Sequence, residues 1–153
     1  MPVINLTGLR GGLARGERLI GLDFGSRSIG VALSDVSLVL ASPYGTLRRG
    51  KLATNAAEVE RIARMEGAGG IVVGLPLTMD GTVGPAAQAA RDWTHALSTA
   101  TGLPAALWDE RLSSSAVNRF LIGEADMSRQ RRGEVVDKLA AAYILQAALD
   151  ASR

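Results

Sequence analysis

Apolar positions recur along this chain first at every second residue and later at every third or fourth, with glycine and proline between the runs. Arg18 to Phe24 reads as a strand, Gly25 and Ser26 as a turn, and Ser28 to Leu33 as a second strand, which together predict a hairpin. Val36 to Leu47 predicts a third strand, broken near Pro43 and Gly45. Asn55, with Glu58 three residues on, forms a capping-box-like start to a helix; Val59, Ile62 and Ala63 supply its apolar face and Gly67 stops it. Gly70 to Gly74 is a short, wholly apolar strand of the buried parallel kind. Leu75 to Gly84 then reads as a loop, and Pro85 suits the first turn of a helix whose apolar side is Ala86, Ala90, Trp93 and Leu97. Ala105 to Trp108 is another apolar strand.

The serines at 113 to 115 offer an N-cap for a helix carrying Val117, Phe120 and Leu121 on one face. After a polar loop, a last helix runs from about Glu134 to Asp150. Three strands, then strands alternating with helices, predict an α/β domain. Its mixed central sheet has antiparallel hairpin strands followed by parallel strands, with helices on both faces. Residues 1–16 hold five glycines or prolines and two arginines without sustained periodicity, so they are expected to be a flexible N-terminal extension, with the domain spanning 17–153.

Composition narrows the chemistry. A chain of 153 residues suits one domain, and 47% hydrophobic residues with 21% charged ones describe a protein with a real core. Only 4% are aromatic, so Val, Ile, Leu and Ala fill that core. The absence of cysteine removes disulfides, thiolate nucleophiles and thiolate zinc sites together. His95 is the single histidine, read as a surface residue, so a histidine cluster is excluded and any metal is held by oxygen ligands, which favours Mg²⁺ or Mn²⁺. No apolar run reaches a membrane span and no basic-then-apolar leader opens the chain, so a cytoplasmic protein is expected.

Seventeen Lys and Arg against fifteen Asp and Glu leave a net charge of +2, too little to identify a nucleic-acid binder. Distribution says more. Arg27, Arg48, Arg49 and Lys51 lie close in sequence, and Arg129, Arg131 and Arg132 crowd a polar stretch before Asp137. Either group could equally be a solvated loop.

Three carboxylates stand out against apolar surroundings. Asp23 lies near the end of an apolar strand on the side shared by Leu19 and Gly21, where a buried carboxylate needs a partner. It could also simply end the strand by bonding to the Gly25-Ser26 turn. Asp137 sits in the expected first turn of the last helix above Ala141, Ile144 and Ala148; favourable placement against the helix dipole is the alternative. Glu110 closes the strand at Trp108, with a surface pair to Arg111 as its alternative and Asp109 beside it as a rival. Two unit charges 4 Å apart interact by about 4 kcal/mol at an effective dielectric of 20, so three such anions brought together would ask for a cation. Two Mg²⁺ ions in such a cluster can serve both the attacking water and the leaving oxygen of a phosphodiester. Spacing alone does not bring the three together.

Four runs carry a resemblance that does. Gly21-Leu-Asp-Phe-Gly-Ser-Arg-Ser-Ile-Gly-Val-Ala32, Val72-Val-Gly-Leu-Pro-Leu-Thr-Met-Asp-Gly-Thr-Val-Gly-Pro85, Trp108-Asp-Glu-Arg-Leu-Ser113 and Ser128-Arg-Gln-Arg-Arg-Gly-Glu-Val-Val-Asp-Lys-Leu-Ala-Ala-Ala142 resemble, in order, those of the YqgF family, also called RuvX. The resemblance implies an RNase H-like fold of the Holliday-junction-resolvase-like kind, and a metal-dependent nuclease that matures the 5′ end of small-subunit (pre-16S) ribosomal RNA. It implies Asp23, Glu110 and Asp137 as catalytic and metal-holding residues of a two-metal Mg²⁺ or Mn²⁺ site. Arg27, Arg111, Arg129, Arg131, Arg132 and Lys138 become candidates for holding nucleic-acid phosphates, which positions a strand without reading its sequence. The protein would be a monomer or a homodimer without a membrane partner.

Departures from the family pattern are small. Thr78 stands where asparagine is common, and Ser28 replaces a frequent basic or bulky residue. Asp80, in the Leu75 to Gly84 run, is either an outer support for the site or a plain Asp-Gly turn. The competing readings are a resolvase acting on branched DNA and a non-catalytic module binding nucleic acid or ribosome precursors. A third, from the likeness of Asp23-Phe-Gly-Ser to the first phosphate loop of actin-like ATPases, needs two such domains, and this chain supplies one.

Overall fold

A computed structural model describes residues 3–112 and 129–153, and for Leu112 and residues 129–136 it describes the backbone alone. Its centre is a five-stranded sheet. β1 (Arg18–Phe24) pairs antiparallel with β2 (Ser28–Ser34), and β2 pairs antiparallel with β3 (Ala41–Arg48). On its other side β1 pairs parallel with β4 (Ala68–Leu75), which pairs parallel with β5 (Ala105–Asp109), giving the order β3-β2-β1-β4-β5. This is the mixed sheet that the hydrophobic pattern predicts. Parallel neighbours need crossovers, and α2 (Leu52–Glu66) and α3 (Pro85–Thr101) supply them.

Strand alternation sends successive side chains to opposite faces, and the two faces are built differently. Ile20, Leu22, Ile29, Val31, Ile71 and Val73 pack with Val59, Ile62 and Leu97 of α2 and α3. On the opposite face Leu19, Ala32, Val72 and Ala106 pack with Ala141, Ile144, Leu145 and Ala148 of the last helix, α4 (Arg129–Ala151). Helices therefore cover both faces. Among the described residues no helix is long and apolar enough to cross a membrane.

Several local readings change. The first residues are docked: Leu6–Gly11 form a short helix, α1, capped by the Asn5 side chain, and Val3 bridges Ala105. Leu9 is fully buried in the core beneath α4, and Arg10 donates to the Leu149 carbonyl and the Ser152 hydroxyl, tying α1 to the end of that helix. Glycines break the periodicity there, yet Leu9, with Ile4, Leu6 and Leu13 packed against the same core, anchors the segment.

Residues 36–40 are outside the third strand because Asp35 takes the Val39 and Leu40 N–H groups on its carboxylate, at 2.8 and 3.1 Å. The expected break near Pro43 is a register shift, with Val31 opposite Gly45 and Ala32 opposite Pro43. α2 starts at Leu52, three residues before the expected cap. Asn55 is buried within its first turn and accepts from Gly50 N–H while donating to Arg48 O and Glu58, so it ties the loop after β3 to the helix. Gly67 stops the helix with φ 70°, as its position predicts. On α3 Ala90 and Leu97 are buried as expected, but Ala87 is buried in place of Ala86, which is exposed. α4 begins at Arg129 instead of near Glu134; the helix expected from residues 113–115, with Val117, Phe120 and Leu121, lies outside the described residues.

Candidate active site

The three parallel strands end on one edge of the sheet, the edge where α/β sheets of this kind place their ligand sites. β2 runs the other way, so its first residue, Ser28, joins the same edge. Asp23 lies there, one residue before the end of β1, on the α4 side. Its neighbour in register on β2 is Gly30, and on β4 the next position past the Leu22–Val73 pair is Gly74. A carboxylate between two residues without side chains has room on both flanks.

That room is used. A Cβ placed on Gly30 would overlap the Asp137 carbonyl oxygen, so the backbone of α4 rests directly on β2. A Cβ placed on Gly74 would stand 2.6 Å from Ile144 and 2.8 Å from Oε2 of Glu110. The two glycines are slots: one receives the helix turn that carries Asp137, and the other the carboxylate of Glu110. Glu110 opens a single 3-10 turn, Glu110–Leu112, directly after β5.

Electrostatics bind the three together. Burial first, and then the charges of Glu110 and Asp137, push the Asp23 carboxyl up to about 7. Glu110 is also raised, by burial first and then by Asp109. Among the described residues no three carboxylates stand at distances that would hold one ion. Glu110 and Asp137 stand within electrostatic reach of Asp23, and the Ser28 hydroxyl donates to Asp137 Oδ2. The donor set is carboxylate oxygen alone, and the mutual repulsion that raises Asp23 is what a divalent ion would relieve, so these residues fit Mg²⁺ or Mn²⁺ in kind.

Several alternatives fall away on this geometry. Asp137 is nine residues into α4, in its third turn, where the helix dipole contributes little. The partner of Arg111 is Asp109, whose two oxygens both accept from Nε at 3.0 Å, which lowers the Asp109 carboxyl and leaves Glu110 as the inward group. Asp80 accepts from Thr78 and Thr82 and drops to about 2, next to Gly81 at φ 86°; it serves the turn. Arg111 stands against that same Gly81.

Of the other basic candidates, Arg27 is exposed in the β1–β2 turn and Lys138 is half-buried beside Asp137. Arg129, Arg131 and Arg132 are on the first turn of α4, with side chains outside the described residues. His95 is exposed on α3. Sequence reasoning missed Ser28, Gly30 and Gly74. The signal for the glycines was present as gaps in the alternation of β2 and β4; the role of Ser28 needed the helix in place.

Comparison with known proteins agrees with this frame. The model of a family described as RuvX, Holliday junction resolvase, matches residues 17–151. A protein of Gluconacetobacter diazotrophicus is 68% identical over 152 residues, covering 99% of both chains, and one of Gluconobacter oxydans is 63% identical over 153 residues, covering 100% of this chain and 96% of its own. Both carry the provisional name pre-16S rRNA nuclease. Among solved structures, RuvC of Thermus thermophilus in complex with a Holliday junction substrate superposes with a TM-score of 0.53 at 14% identity, covering 88% of this chain and 94% of that one. At that identity the likeness shows the fold, which is RNase H-like.

Proposed function

This chain belongs to the RuvX family, and from that premise we propose that it is a nuclease hydrolysing phosphodiester bonds of structured nucleic acid, with Asp23, Glu110 and Asp137 as its catalytic carboxylates. The observation that carries the reading is Asp23 itself. It is a largely buried carboxylate set between two glycines, and burial, with the charges of carboxylates from two other elements, raises it to about 7.

Asp23, Glu110 and Asp137 would hold divalent ions. Mg²⁺ or Mn²⁺ bound there supplies the Lewis acid for the phosphoryl oxygens and lowers the pKa of the attacking water. The chain's own groups do the rest. Burial leaves the ionised Asp23 carboxylate poorly solvated, so it would give up its proton on binding a cation that takes the place of the missing water. Ser28 fixes one oxygen of Asp137 and leaves the other to turn toward the site. Arg27, Lys138 and the arginines of the first α4 turn flank the edge and would hold backbone phosphates, which orients a strand without selecting its sequence.

The substrate supported best is the precursor of small-subunit ribosomal RNA, cut at its 5′ end, because the full-length relatives carry that name. The family's own description favours a four-way DNA junction as the second reading. Purified protein and Asp23→Asn are to be incubated with each substrate in Mn²⁺, Mg²⁺ or EDTA. Metal-dependent cutting by the unaltered protein alone supports the nuclease and identifies its substrate. No cutting of either, by protein that binds both, would replace it with a non-catalytic binding module.

A further inference from the structure

Four cations stand exposed where the first three strands turn: Arg27, Arg48, Arg49 and Lys51. Arg48 pairs in register with Ser28, and the Arg49 N–H donates to the Arg27 carbonyl at 3.0 Å, so the group adjoins the edge that carries Asp23. Among the described residues none of the four makes an ion pair, whereas Arg64, Arg111 and Arg153 each do. Like charges gathered without counter-charges repel, and a polyanion is the ligand that relieves them.

One of the four is held in place. The Arg49 guanidinium lies over the Phe24 ring, 4.0 Å from its centroid, and Phe24 in turn stacks on Trp93 at 4.3 Å with 17° between the planes. Its Nη1 donates to the Gly25 carbonyl at 3.1 Å. An exposed arginine ordinarily loses much rotamer freedom when it binds; this one is already held by the Phe24 ring and the Gly25 carbonyl, and its other guanidinium donors make no hydrogen bond among the described residues. Phe24 follows Asp23 and points to the other face, so Arg49 sits across the end of β1 from the carboxylates.

We propose that Arg49 is a preset clamp for a backbone phosphate of the bound nucleic-acid strand, a different phosphate from the one at Asp23, with Arg27, Arg48 and Lys51 extending the track. The clamp rests on the nucleic-acid reading above and adds the path of the strand across the end of β1. Arg49 is thus a positioning residue whose signature is electrostatic.

The test is binding of labelled single-stranded RNA, DNA of the same sequence and a four-way DNA junction to full-length Asp23→Asn protein in EDTA, over a range of salt concentrations. Arg49→Met, which keeps an apolar contact with Phe24, is compared with Arg49→Lys, which keeps the charge, and with Arg64→Met at the far end of α2. Arg49→Met is expected to weaken binding about fivefold at about 0.1 M salt and to flatten the slope of log affinity against log salt by roughly 0.7 for a single strand. Arg49→Lys keeps the slope and loses part of the affinity, and Arg64→Met changes neither. An unchanged slope in Arg49→Met, or no binding of any of the three ligands, overturns the clamp. Cleavage in Mn²⁺ by protein with Asp23 intact separates the two proposals: binding with the Arg49 signature but without cutting rejects the nuclease alone, and cutting without that signature rejects the clamp alone.

Discussion

The two faces of the sheet use the same strands for different ends. Toward α2 and α3, β1, β2 and β4 present Ile20, Leu22, Ile29, Val31, Ile71 and Val73, and the helices are held off by their side chains. Toward α4 the same strands present Gly21, Asp23, Gly30 and Gly74 among smaller apolar groups, and the helix backbone comes down onto the sheet. The first face buries aliphatic area and has ordinary packing freedom. The second gives up side-chain volume, and Glu110, just after β5, and Asp137 of α4 stand within electrostatic reach of Asp23. On the proposed function, stability and chemistry are divided between alternate residues of one strand, and substitutions should sort by face.

The largest effect is expected at Asp23. Asp23→Asn removes the carboxylate on which the other two converge, and cleavage should fall by about a thousandfold or more, equivalent to about 4 kcal/mol of barrier, with nucleic-acid binding in EDTA retained. Single-turnover cleavage with Mn²⁺ checks it, and a rate within a few-fold of the unaltered protein would remove Asp23 from the mechanism.

The same residue should make stability depend on pH. Its carboxyl ionises near 3.8 when exposed and at about 7 in the fold, so the folded state keeps a proton that the unfolded chain has already lost. Stability therefore falls as pH rises from about 4 to about 7 and levels off above that. Asn, neutral throughout, escapes this loss. In EDTA, Asp23→Asn should be more stable than the unaltered protein at pH 8 by about 2–4 kcal/mol, after allowing for partial exposure, with the gap closing toward pH 4. Urea unfolding at pH 4, 6 and 8 measures it; a gap independent of pH would mean that Asp23 is ionised at little cost in the fold.

Gly30→Ala tests the slot. The added carbon would overlap the Asp137 carbonyl, a backbone atom that cannot rotate away, so α4 must shift. Overpacking of this kind costs about 1–3 kcal/mol, and displacement of the Asp137 turn should lower cleavage more than the melting temperature alone explains. Thermal melting and single-turnover rates are compared on one sample. Ser28→Ala is milder: loss of the hydroxyl that orients Asp137 should reduce kcat by roughly tenfold with KM unchanged, and stability by about 0.5–1.5 kcal/mol. A change in KM alone would show that Ser28 meets the substrate and not Asp137.

Much of this arrangement was legible beforehand, and the parts that were not share a cause. The hairpin pattern located β1 and β2, short wholly apolar runs located β4 and β5, and Asp23 stood out because it interrupts an apolar side. The family resemblance joined it to Glu110 and Asp137. What period and composition could not convey was any role exercised between elements. The glycines of the strands read as weak propensity until α4 filled the space above them, and Asn55 read as a cap until Gly50 and Arg48 met it. The docking of Leu9 was hidden for the same reason: one buried side chain has no period.

The smallest effect should come from the packing face, and it is the control that gives the comparison its force. Ile71 is fully buried on β4, pairs in register with Ile20 and Ala105, and points away from the carboxylates, three residues before Gly74 on the same strand. Ile71→Val removes one methylene into a well-filled core and should reduce stability by about 0.5–1.5 kcal/mol. Because the backbone of β4 stays where its two neighbours hold it, Gly74 still admits Glu110, and the cleavage rate at 25 °C should be unchanged within about twofold. A rate loss comparable to that of Ser28→Ala would mean that packing on one face is transmitted through the strand to the other. The sheet would then be a deformable support, and the division between its faces would be one of composition only.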